Sequence, residues 1–312
     1  MNLAVNVEQA IFTSLCSQRQ KGYQLAASSP GLTAGEVQEL SVWGPAHDAL
    51  MCDAGRPLSI NFHRLSSGRF AVSRTHLNGD EYSGRGGGQV YSHILVLRES
   101  VFASFGYHPF RVLEAAEVAG RLTLWEPGTE TLESFPLPGA CSPVRGIEVA
   151  RAKQTLSTSL LSRLLHITML PENVGVMTDR NPHLQVAAMF DLLPLDRRTD
   201  MTFSTGLKPS QQRNFHLQIA RTTNDANEVQ RLDRQRVWFD LRHDAGDLVG
   251  PLNEWAEFVA ALLEGGHIAA LPRVLRSTDR QRDGSLSGIL SELQLGLQQN
   301  IGWPAASAEV PI

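Results

Sequence analysis

Over the first hundred residues apolar positions recur mostly every second residue. From about residue 150 onward they recur every third or fourth. The first period is that of a half-buried strand and the second that of a helix with one apolar face. "EQAIFTSL" (8–15) and "GYQLAASS" (22–29) read as two strands across the polar segment "SQRQKG". In "SPGLTAGEVQELSVW" the period changes, and Thr33 and Glu36 stand at capping-box spacing at the start of a helix. "PLSINFHRLSSGRFAVSRTHL" is the clearest hairpin, turning at "SSG", where Gly68 can take positive φ. Its alternation puts Ile60, Phe62 and Arg64 on one side and Asn61, His63 and Leu65 on the other.

"QVYSHILVLRES" stops alternating after His93, which predicts an inner strand over Tyr91 to Leu97. A short helix is expected in "VFASFGYHPFRVLEA", and a strand and loop in "GRLTLWEPGTETLESFPLPG". The Pro and Gly density between Pro127 and Pro143 marks a boundary. Beyond it, leucines at 156, 160, 161, 164 and 165 form a helical stripe. "NVGVMTD" is expected as a strand, "NPHLQVAAMFDLLP" as a helix opened by Pro182, and "DMTFSTGL" and "RNFHLQIART" as strands. Leu252, Trp255, Phe258, Val259 and Leu262 give a later helix one apolar face, ended by Gly265 and Gly266. The fold class is therefore α/β or α+β. A mixed, β-rich domain over 1–145 precedes a mainly helical domain over 146–312, with a small sheet around Met201 to Ser204 and Phe215 to Ile219.

Composition narrows the function classes. The 312 residues carry 32 acids against 28 bases, a net charge of −4, so no basic face argues for nucleic-acid binding. The basic stretch "RLDRQR" (231–236) reads as a solvated helix face. Three dispersed cysteines, Cys16, Cys52 and Cys141, make no disulfide framework or zinc pair and suit a reducing cytosol. The N-terminus lacks a basic segment followed by an apolar one, and no run of about 18 apolar residues offers a membrane span. The ten histidines form neither HExxH nor HxH, so no metal and no cofactor is expected.

One stretch carries candidate chemistry. In "GDEYSGRGGGQVYSHILVL" Arg85 precedes Gly86, Gly87 and Gly88, and His93 lies in the strand that follows. Three glycines let backbone amides face an anion, with an arginine fork beside them. Phosphate loops, however, follow a strand and open a helix, whereas this one precedes a strand. A tight turn and a ligand loop are both compatible with these residues. His93 shares a face with Tyr91 and Leu95, where a histidine is either a satisfied core residue or a catalyst, and the catalytic reading needs a nucleophile. No GxSxG elbow supplies a nucleophile. Arg197 and Arg198 either bind a partner acid or cap the end of the preceding helix, where cations are favoured; the cap is the expected role.

Four segments in order, "EQAIFTSL", "GYQLAASSPGL", "YSGRGGGQVYSHILVL" and "LLPLDRRTDMTFSTG", resemble the GTPase-associated protein 1 family of bacteria. The resemblance covers residues 7 to 100 and, more loosely, 150 to 220. The matching positions are Gln9, Gly22, Tyr23, Ser29, Pro30, Gly31, Gly84, Arg85, Gly86 and His93. The family's genes lie beside GTPases in presumed conflict or signalling systems. The resemblance therefore implies a cytoplasmic adaptor or sensor that binds a GTPase or another protein of the same system. The chain departs from the family pattern by ending near residue 312, leaving little room for a further module. The alternative is an enzyme or a nucleotide or phosphate sensor built on the glycine turn with Arg85 and His93. Gln9, Tyr23, Gly84, Arg85, Gly86 and His93 are the candidate ligand or partner contacts. Convergence of Gln9, Tyr23, Arg85 and His93 on one pocket would favour a ligand site.

Overall fold

The computed structural model describes residues 6–16, 21–51, 57–80, 88–139, 149–150, 153–154, 156–221, 233, 235–242, 250–272 and 275. β1 (Asn6–Cys16) and β2 (Lys21–Ser28) pair antiparallel. α1 (Ala34–Trp43) opens with the expected capping box. Thr33 Oγ1 accepts from the Glu36 amide, and the Glu36 carboxylate accepts from the Thr33 amide at 2.8 Å. β3 (Leu58–Arg64) and β4 (Phe70–Asp80) form the hairpin, with Gly68 at φ +84°. β5 (Gly88–Leu97) bonds β4 on one side and β1 on the other, so the strand expected inside the sheet is inside it. α2 (Glu99–Ser104), α3 (Pro109–Val118) and the two-residue β6 (Phe135–Pro136) follow.

The second half contributes α4 (Thr158–Thr168), β7 (Val174–Thr178), α5 (Pro182–Leu192), α6 (Leu195–Asp200), β8 (Phe203–Ser204), β9 (Leu217–Arg221), β10 (Val237–Asp240) and α7 (Glu254–Glu264). Its strands do not close as a separate small sheet. β8 pairs antiparallel with β3, and the strands run in the order β10-β7-β9-β8-β3-β4-β5-β1-β2, with β6 paired to β1, in one ten-stranded sheet. β10, β7, β9 and β8 are mutually parallel, and the pairs on the β3 side are antiparallel. The boundary expected at 145/146 lies outside the described residues.

Three other expectations change. Arg236 of "RLDRQR" is not on a solvated helix face; it is buried before β10, and its Nη1 donates to the Val174, Phe215 and His216 carbonyls. Residues 121–125 form no strand; they cross the face of the sheet instead of joining an edge, and Tyr91 Oη accepts from the Trp125 amide at 3.0 Å. The leucine stripe does not begin its helix at Leu156. Ser157 Oγ accepts from the Leu160 amide and starts α4 there, because a serine oxygen satisfies an amide that has no partner in the first turn.

Each sheet face packs differently. On one face Phe62 of β3 meets Phe70 of β4, Phe102 of α2, Phe190 of α5 and Phe203 of β8, with ring centroids 5.2–6.1 Å apart. All five rings are almost fully buried, so one core draws on both halves of the chain. On the other face α1 covers Phe12, Ala71 and Ile94. Beside them runs a buried network in which Asn61 Nδ2 donates to Ser73 Oγ and Thr75 Oγ1, Ser59 Oγ donates to Asn61 Oδ1, and Thr75 shares a hydrogen with Ser92. These side chains satisfy one another, so burying them carries little desolvation penalty.

Candidate functional site

At one end of the Phe62 face, the apolar core gives way to a cavity of about 630 Å³. Among the described residues it is lined by Pro57, Leu58, Arg74, His76, Leu77, Asn78, Gly79, Tyr91, His93, Leu122 and Leu124. The polar side chains share a face because of strand register. Arg74 stands opposite His93, and His76 opposite Tyr91, on neighbouring antiparallel strands. Residues two apart on one strand point the same way, so four polar groups meet on one patch. The segment through Leu122 and Leu124 supplies the apolar wall above them.

Gln9 fixes the protonation pattern of His93. The Gln9 Nε2 group donates to the Glu133 carbonyl at 2.7 Å, which leaves Oε1 facing His93 Nε2 at 2.8 Å. An acceptor there requires the hydrogen on Nε2, so the lone pair of neutral His93 is on Nδ1. Nδ1 is buried without a hydrogen-bond partner among the described residues, as is His76 Nδ1. Burial first, then the charges of Arg74 and His76, push the His93 pKa down to about 4. Burial and Arg74 also lower His76. Burial raises the Tyr91 phenol, with the bond from the Trp125 amide opposing it. At neutral pH the described residues lining the site therefore hold one permanent cation, Arg74, and two uncharged imidazoles.

Arg74 Nη1 lies 3.2 Å from Glu117 Oε1 of α3. The side chains are 35% and 66% exposed, so the pair contributes about 0–1 kcal/mol and exchanges readily for another acid.

Of the residues singled out from the sequence, Gln9 and His93 are in direct contact here. Tyr23 is on the opposite face of the sheet, stacked near Phe12 at 6.4 Å, and its hydroxyl accepts from the Val90 amide at 3.1 Å. Gly84, Arg85 and Gly86 lie outside the described residues. The sequence reading missed Arg74 and His76. Their i, i+2 spacing in a strand was the available signal, but only the β4–β5 register shows that they face His93. Arg198 takes the expected helix-end role: Nε donates to the Leu193 carbonyl at 3.1 Å and Nη2 to that of Asp191 at 3.1 Å.

Residues 6–138 match the family model described as GTPase-associated protein 1, N-terminal domain type 2. The match runs from β1 just past β6 and includes every described residue lining the cavity. Comparison with curated proteins finds no match.

Proposed function

We propose that this chain, whose residues 6–138 belong to the GTPase-associated protein 1 N-terminal domains of type 2, is an adaptor or sensor that binds a partner GTPase or another protein of the same system. The family match carries this reading, because it spans all of β1 to β6. Chemistry at the cavity supports binding over turnover. A general acid or base works best with a pKa near the operating pH, and His93 at about 4 is far below it. In this reading the protein acts in the cytoplasm, within a bacterial conflict or signalling system.

The second reading, a nucleotide or phosphate sensor or an enzyme using the glycine turn with Arg85 and His93, is favoured by one observation: a cavity that sets His93 beside a different arginine, Arg74. The first reading is tested by capturing the GTPase encoded beside this protein on the immobilised full chain, with GDP and with a non-hydrolysable GTP analogue. Retention that depends on the bound nucleotide is expected. Absence of retention in both states overturns it.

A further inference from the structure

We propose that the cavity between β4, β5 and the 120–125 segment binds a small amphiphilic acid: one carboxylate or phosphate on a short apolar body. The proposal goes beyond partner docking and does not depend on it. Three observations carry it. The first is charge: Arg74 is a fixed cation on a cavity wall that contains no carboxylate among its described residues. A guanidinium presents paired donors that match the oxygens of a carboxylate or phosphate. The second is availability. Arg74 is engaged at the rim by Glu117, an exposed and exchangeable partner, so an incoming acid replaces one carboxylate with another at little cost.

The third is shape and polarity. Leu58, Leu122 and Leu124 give the cavity an apolar side, and about 630 Å³ falls within the range of small-molecule sites. Headgroup and body thus have separate walls. His76 and His93 line the same wall as Arg74, whose guanidinium supplies the charge that an acid group meets there.

The test uses isothermal titration calorimetry on the full chain with hexanoate and hexyl phosphate as probes and 1-hexanol, acetate and inorganic phosphate as controls. Saturable binding of at least one hexyl anion is expected, with hexanol, acetate and phosphate each at least tenfold weaker. Comparing the two hexyl anions identifies the headgroup. Arg74→Gln is expected to weaken the anion at least tenfold, and Arg197→Gln, an exposed arginine outside the cavity, to leave it unchanged. Circular dichroism of each variant separates lost binding from lost folding. If Arg74→Gln unfolds the chain, Leu124→Asp, on an exposed wall position, is the substitute and is expected to lose the anion equally. The proposal is overturned if neither hexyl anion saturates, if hexanol binds as tightly as the anions, or if the folded variant binds unchanged. Failure here leaves the GTPase capture unaffected, and failure of that capture leaves this binding unaffected.

Discussion

The guanidinium of Arg111 on α3 donates through Nη2 to Oδ1 of Asp191 on α5, and neither side chain reaches solvent. The two residues are 80 positions apart and tie the matched N-terminal region to the second half of the chain. Arg198 extends the cluster: Nη1 donates to the Gly106 carbonyl at 2.8 Å, while burial lowers its pKa and the Asp191 charge raises it. A charge pair taken out of water this fully stabilises little in net terms, but losing one partner leaves the other charge uncompensated. Asp191→Ala is expected to destabilise the protein by about 3–5 kcal/mol in urea denaturation. The double variant Arg111→Met with Asp191→Leu should be clearly more stable than Asp191→Ala, and equal losses would show that packing rather than charge dominates.

Several buried histidines make stability depend on pH, His63 and His93 among them. Burial pushes His63, stacked on Trp43 at 4.0 Å, down to about 3, and His93 lies at about 4, both below the ordinary 6.5. Below 6.5 the unfolded chain binds protons that the folded chain refuses, so the contribution is fully present above 6.5 and is lost as pH falls toward the folded values. Between pH 6.5 and 5 each should cost on the order of 1–2 kcal/mol. Denaturant melts at pH 7.5, 6 and 5 should show declining stability, and His63→Phe should reduce the slope. A flat profile would contradict the burial argument.

Glu36 should matter more than its capping partner. Burial opposes its ionisation, yet hydrogen bonds from Ser67 and the Thr33 amide, together with Arg69, hold its pKa below the usual carboxylate value. Thr33→Ala removes one cap and is expected to cost about 0.5–2 kcal/mol. Glu36→Ala also releases the β3–β4 turn from α1, so thermal melts should place it below Thr33→Ala. The reverse order would mean that the turn contacts add nothing.

The continuity of the sheet predicts how a cut chain behaves. β8 bonds to β3, and Phe62 packs on Phe190 and Phe203, so the two halves share ladder and core. A protease site inserted between residues 140 and 148 should yield fragments that co-elute in size-exclusion chromatography. Separate elution of folded halves would instead support two independent domains over 1–145 and 146–312.

Local structure was largely written in the sequence because it depends on neighbours along the chain. Alternation located β1 to β4, its loss after His93 marked β5 as an inner strand, Thr33 and Glu36 marked the start of α1, Gly68 marked the hairpin turn, and the stripe through Trp255 and Leu262 marked α7. Such signals are complete within about a dozen residues. What the sequence left open was pairing between distant segments. Nothing in "DMTFSTGL" states that Phe203 will sit opposite Phe62, which merges an expected small sheet into a ten-stranded one. Nothing in "RLTLW" tells a strand from a segment pinned over Tyr91. The candidate site has the same origin. His93 and Gln9 were visible as residues, but their hydrogen bond required β1 to lie beside β5, and Arg74 joined them only through the β4–β5 register. A one-residue slip in that register would carry Arg74 to the opposite face, so the cavity and its charge were decided by tertiary pairing alone.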